Sequence, residues 1–129
     1  MLKRFIEQLS PQLGFADTLA PNDDASYSIS FEPKVQVTLK ENNEQVIKLY
    51  SKLAPLPKEK EGEFLLYVMS GNLFGTQTAG NIVGLDDEGK IVTLNRFIFP
   101  EATYPQFKEA LEEFVNYAEA WKLETKAFA

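Results

Sequence analysis

The stretch from Lys58 to Phe74 constrains the fold of this chain more than any other. A charged lead-in, Lys58-Glu59-Lys60-Glu61, runs into Phe64-Leu65-Leu66-Tyr67-Val68-Met69 and then Gly71-Asn72-Leu73-Phe74. Six apolar residues in a row suit a buried strand or a helix. The length of the segment, its Leu and Met content and its leading glutamates favour a helix from about Glu61 to Leu73. Such a helix is apolar on nearly every face. In a chain of 129 residues a single helix is hard to wrap on all sides. It is expected to lie between its own sheet and something else, of which a second copy of the chain is the simplest; a wholly internal helix is the alternative.

The remaining elements read from periodicity. Leu2, Phe5, Ile6, Leu9 and Leu13 form one helical stripe, with Gly14 placed for a left-handed stop. Pro11 predicts an end near Ser10. That stripe either belongs to the chain's own core or, with sheet residues beside it, forms an exposed groove for a partner. Tyr27, Ile29 and Phe31 alternate with serines, and Val35, Val37 and Leu39 alternate with polar residues. Period-two alternation gives one buried and one wet face, the habit of an antiparallel sheet. Val46 to Leu53 makes a third strand, closed by Ala54-Pro55-Leu56-Pro57. Ile82–Leu85 and Lys90–Leu94 flank the turn Asp86-Asp87-Glu88-Gly89 as a hairpin. Pro105 suits a first helical position. Phe107, Leu111, Phe114, Ala118 and Trp121 then recur at spacings of four and three, with the charged residues opposite. The expected fold class is α+β in the order α-β-β-β-α-β-β-α. A twisted, mainly antiparallel sheet is packed by helices, and residues 1–129 form one domain.

Composition narrows the chemistry. The chain has neither histidine nor cysteine, which removes the commonest general base, the thiolate nucleophile and the usual zinc ligands. Thirteen Lys and Arg against nineteen Asp and Glu give a net charge of −6, a poor match to nucleic acid or to anionic membranes. The N-terminal apolar residues are interrupted by charge, so neither a signal peptide nor a membrane span is expected, and the cytoplasm is the simplest compartment.

Motif-like spacings fail in detail. Counted from Asp86, the twelfth position of a calcium loop is Phe97, not a bidentate Glu. Gly75 and Gly80 have phosphate-loop separation, but Asn81 and Ile82 stand where Lys and Ser or Thr belong. Glu112 and Glu113 are adjacent on a helix and do not face each other. The serines lack a nucleophile-elbow sequence, and a Ser–Lys pair is only formally open to them. No catalytic, cofactor-binding or metal-binding residue is expected.

The helix ending at Leu13-Gly14, the three alternating strands, Leu65-Leu66 through Asn72-Leu73-Phe74, the hairpin Ile82–Leu94 and the closing helix Phe107–Trp121 together resemble the class I type III secretion chaperones, the Tir-chaperone (CesT-like) family. The resemblance spans Leu2 to Trp121. It implies a homodimer built mainly through the second helix and a role in the bacterial cytoplasm. The N-terminal region of a secreted effector would be held there as an extended chain, kept soluble and presented to the export apparatus, with no cofactor. On that reading the dimer interface is expected at Phe64, Leu65, Tyr67, Val68 and Leu73. Effector contact is expected at Leu2, Phe5, Ile6 and Leu9, with Val92 and Leu94 beside them. The alternative is a small-molecule-binding or sensory α+β domain with a cavity between sheet and helix, lined from its ten Phe, five Tyr and one Trp.

Overall fold

The structure, a computed structural model, describes residues 1–31, 35–74 and 81–127, the side chains of 71–74 excepted. Among the described residues eight elements follow one another: α1 (Leu2–Gln12), β1 (Tyr27–Phe31), β2 (Val35–Glu41), β3 (Ile47–Pro55), α2 (Glu61–Phe74), β4 (Ile82–Leu85), β5 (Ile91–Ile98) and α3 (Tyr104–Ala127). This is the α+β order expected from the periodicities. The five strands form one sheet in the order β1-β2-β3-β5-β4, with every neighbouring pair antiparallel.

Register follows from the alternation. Tyr27 pairs with Leu39, Ile29 with Val37, Leu39 with Leu49 and Ile47 with Ile98, so the apolar members share one face. The intervening Lys40–Lys48, Thr38–Tyr50 and Lys52–Thr93 pairs share the other. An irregularity between Lys52 and Ala54 lets the last residues of β3, through Pro55, rejoin β5. Two hairpin turns are closed by side chains that cap their own backbone. Asn42 Oδ1 accepts from the Glu44 and Val46 amides at 2.8 and 3.0 Å. Asp86 Oδ1 accepts from the Lys90 and Ile91 amides at 2.8 and 3.1 Å. Gly89 completes the second turn at a φ of 69°, where a β-carbon would be strained.

All three helices pack on the apolar face. Phe64 of α2, Phe5 and Ile6 of α1, and Phe107, Phe114 and Trp121 of α3 join the inward-facing residues of the strands in one buried cluster. Phe5 stacks on Phe107 with ring centroids 4.8 Å apart, and Tyr67 meets Trp121 at 5.5 Å. Arg96 of β5 faces inward but donates to Glu113 of α3 at 3.1 Å, so its charge is paired as the helix crosses the sheet.

Several boundaries differ from expectation, among them the end of β3, which runs two residues past Leu53 to Pro55. α1 continues through Pro11 to Gln12 before Gly14 turns at a φ of 86°. Proline in a last turn removes one amide, and the Glu7 carbonyl it would have served lies on the exposed side. β5 runs four residues beyond Leu94, because the inward Arg96 finds a partner on α3. α3 starts at Tyr104, one residue before Pro105, and extends two turns past Trp121. Its start is a reciprocal cap: the Thr103 amide donates to Gln106 Oε1 at 2.9 Å, and the Gln106 amide donates to Thr103 Oγ1 at 3.3 Å.

Candidate protein-interaction surfaces

On α2, successive residues advance about 100° around the helix, so Phe64 and Val68 share one side. That side faces the sheet: Phe64 is 0% and Val68 7% exposed. Leu66 lies directly opposite Phe64 and Met69 beside it, and each is 66% exposed. Leu65 and Tyr67 flank the two sides and are half-buried. Burial and the charge of Glu124 raise the Tyr67 hydroxyl above its ordinary pKa. Of the five residues expected at a subunit interface, Phe64 and Val68 therefore belong to the chain's own core, while Leu65 and Tyr67 border its outer surface. Leu73 lies in the last turn, outside the described side chains. The residues that present the helix outward are Leu66 and Met69, which the run of six apolar residues contains but does not single out. α2 packs beside β4 at the sheet edge, where Leu85 is exposed at the strand end; Ile82 and Phe97, paired with Asn95 and Lys48, are exposed on the other face of the sheet.

The α1 stripe has a different fate. Leu2, Phe5, Ile6 and Leu9 are all buried, and Val92 and Leu94 are fully enclosed. The expectation of an exposed partner groove on these six side chains is corrected: they fill the space between α1, α3 and the sheet. An 11-residue helix has little apolar surface left after covering the end of such a sheet. What remains open lies just past the stripe. A depression of about 450 Å³ opens between the end of α1, β1 and α3, and Leu13, Phe31 and Val115 line it above Leu9 and Leu111. Gln12, Lys108, Glu112 and Asn116 supply its polar rim. Phe31 belongs to β1, which has β2 on one side only. Among the described residues the arrangement therefore offers an apolar hollow next to a strand edge that no other strand pairs. Tyr104 ties the same end of α1 to α3 by donating to Gln12 Oε1 at 2.8 Å.

The space between sheet and helices, where a small ligand would sit, is packed by Phe64, Phe107 and Phe114. Among the described residues no group of three or more Asp or Glu is placed to hold a metal ion, and no helix is long and apolar enough to cross a membrane. Chemically, the surfaces offer apolar contact and strand pairing, both means of gripping polypeptide.

Residues 4–122 match the model of the Tir chaperone protein (CesT) family. A protein of Chlamydia pneumoniae is 34% identical over 122 residues, covering 94% of this chain and 93% of that one. Among solved structures, a chain of the ExsC–ExsE complex superposes with a TM-score of 0.76 at 18% identity, covering 96% of this chain and 92% of its own. A chain of the HopA1–SchA chaperone–effector complex gives 0.76 at 17%, with 94% and 92% covered. A chain of the structure of the Yersinia pestis type III secretion chaperone SycH in complex with a stable fragment of YscM2 gives 0.69 at 17%, with 92% and 97% covered.

Proposed function

Because the chain belongs to the Tir chaperone protein (CesT) family, we propose that it is a type III secretion chaperone. It binds the N-terminal region of a secreted effector as an extended chain, keeps it soluble and delivers it to the export apparatus. It works as a homodimer in the bacterial cytoplasm, joined through the outward side of α2 and the adjoining β4.

One observation carries the client-binding part: the apolar hollow of Leu13, Phe31 and Val115 runs beside the unpaired edge of β1. An extended segment laid there gains main-chain hydrogen bonds from the edge and drops alternate side chains into the hollow. The client stays covered where it would otherwise aggregate, and no nucleotide or metal is needed. The dimer rests on Leu66 and Met69, which project from a helix whose opposite side is already committed to the core. The type III chaperone and chaperone–effector structures that share the fold support the same reading.

The test is co-expression with candidate secreted proteins encoded nearby, followed by co-purification. Leu13→Asp and Val115→Asp are expected to abolish co-purification while circular dichroism and the melting transition stay near those of the parent, since both side chains lie on the open side of the core. Undiminished client recovery with both variants would remove the hollow from the binding site.

A further inference from the structure

The turn that leads into β1 repeats the turn that joins β2 to β3. In the β2–β3 turn the Gln45 amide donates to the Asn42 carbonyl at 3.1 Å and the Asn42 amide to the Val46 carbonyl at 3.0 Å, with Gln45 at a φ of 63°. Before β1 the Ala25 amide donates to the Asn22 carbonyl at 2.9 Å and the Asn22 amide to the Ser26 carbonyl at 2.7 Å, with Ala25 at a φ of 65°. Asp23, Asp24 and Ala25 thus form a hairpin loop that ends in a left-handed residue. Such a loop sends its incoming arm back along the outgoing strand. Around Asn42 the two arms are β2 and β3; here the outgoing strand is β1 and the incoming arm is residues 19–22.

That arm starts as an added strand and is cut short by its own sequence. Pro21 has no amide to give to a ladder. The Leu19 amide reaches α1 instead, where Ser10 Oγ accepts it at 3.1 Å. Ser10 is buried, and its hydroxyl donates to the Ile6 carbonyl at 2.7 Å, so the arm leaves the sheet for the helix layer. Asn22 fastens the end that stays: its Nδ2 donates to Ser26 Oγ at 3.2 Å and to Ser28 Oγ at 3.1 Å.

Strand geometry then says which part of the edge is guarded. The amide and carbonyl of one residue in an antiparallel ladder point to the same edge, and those of the next residue to the other. Because Ser26 turns its carbonyl to Asn22, Ser26, Ser28 and Ser30 address the edge away from β2, while Tyr27, Ile29 and Phe31 address β2 itself. The arm stands at Ser26 and Ser28. Ser30 lies beyond it, next to Phe31, which lines the hollow.

We propose that the connector 19–26 is an end-stop on the edge of β1, held by Asn22, which fixes the register of the client strand. The client pairs with Ser30, and the residues on either side of that pair turn inward beside Phe31 and Ile29. The proposal rests on the chaperone reading and deepens it by naming the segment selected. That segment carries two apolar residues separated by one residue of any kind, at the end of a strand that must leave the sheet before Ser28.

The test is amide hydrogen exchange, followed residue by residue on the whole chain, with and without a synthetic peptide of about nine alternating threonine and valine residues. In the parent the peptide is expected to slow exchange at Ser30 at least about tenfold, with Ser28 unchanged and Asn22 as protected as before. Ala25→Pro cannot keep a φ of 65° and lacks the amide that closes the turn. In that variant the protected edge should extend to Ser28 and Ser26, and the peptide should bind more tightly. Asn22→Ala, which removes only the side-chain ties, should extend it to Ser28; Ala25→Gly keeps the turn and should give the parent's pattern. Slow exchange at Val37, which pairs with Ile29 inside the sheet, is expected throughout and reports an intact fold. Peptide-induced protection of Ser28 in the parent, loss of Asn22 protection on binding, or the parent's pattern in both Ala25→Pro and Asn22→Ala would overturn the end-stop. A peptide that binds, is lost in Leu13→Asp and yet leaves Ser30 unprotected would sink the proposal and leave the hollow standing. No binding by the parent, or equal binding by Leu13→Asp, would remove the hollow and the proposal together.

Discussion

Replacing Leu66 and Met69 together by glutamate should convert the protein to a folded monomer. Fully burying an aliphatic side chain of this size contributes about 1.5–3 kcal/mol. Each of the two keeps 66% of its surface in the isolated chain, so covering it is worth about 1–2 kcal/mol on the same scale. A two-fold interface uses the same patch twice. Four side chains then contribute about 4–8 kcal/mol, before any unfavourable charge is added. At about 1.4 kcal/mol per tenfold change, the dissociation constant should rise at least a thousandfold. Sedimentation equilibrium over a wide concentration range measures this directly. Thermal melts give a second readout, because the parent's transition should climb with concentration and the variant's should not. Phe64→Ala is the internal control: that side chain is fully buried, and its loss should cost about 3–5 kcal/mol of folding stability. An unchanged association constant in the Leu66/Met69 double variant, or a monomeric parent, would refute the interface.

Two smaller effects follow from the turns and caps. Asp86 is held below the ordinary carboxylate pKa, first by the Lys90 amide and then by the Ile91 amide. The stability this brings is complete above about pH 3.9, the unfolded value, and is lost as pH falls through the lower folded one. Melts of Asp86→Asn against the parent should therefore differ most above that window and converge below it; a constant difference would mean the carboxylate charge is idle. Thr103→Ala should cost about 1 kcal/mol in urea unfolding. Combined with Gln106→Ala it should fall short of the summed single effects, because the two side chains cap each other.

The strands were legible because a sheet with one covered face writes itself as alternation, and Tyr27–Phe31 and Val35–Leu39 carry that pattern without interruption. Helix α2 was legible as a helix but not in rotation. Phe64 through Met69 contains no polar residue to mark the outside, so only packing reveals that Phe64 and Val68 turn inward and Leu66 and Met69 outward. α1 shows the converse. Its stripe is sharp, yet a stripe cannot say whether its cover is the same chain or another, and α3 turns out to be that cover. The far end of β5 was hidden because Asn95 and Arg96 break the apolar rhythm, and the ion pair of Arg96 with Glu113 is a tertiary fact. The last two turns of α3 lack a periodic signal, and Thr125 is buried there while donating to the Trp121 carbonyl at 2.7 Å. The reciprocal cap at Thr103 and Gln106 was readable, but Pro105 drew the boundary one residue late.

The two sheet edges bear on the stoichiometry of the complex. A strand edge left bare invites pairing, and chains that stay soluble blunt such edges with charge, bulges or cover. Here β4 is four residues long, and α2 beside it turns Leu66 and Met69 outward, an apolar pair of the kind one two-fold axis can bury against itself. β1 instead borders a hollow with a polar rim, better matched to alternating side chains of a foreign strand than to a copy of itself. Pairing two chains through α2 and β4 leaves both β1 hollows outside the interface. One client chain long enough to visit both gains the second contact at high effective concentration, because its linker tethers it near the empty hollow. Native mass spectrometry of the co-purified complex should therefore show two copies of this chain to one client. A Leu13→Asp subunit paired with a parent subunit should retain the client more weakly, by well over the twofold loss of sites. If each hollow instead holds its own client, giving two to two, or if the mixed dimer loses only half its binding, the hollows act independently and the wrapped-client geometry is wrong.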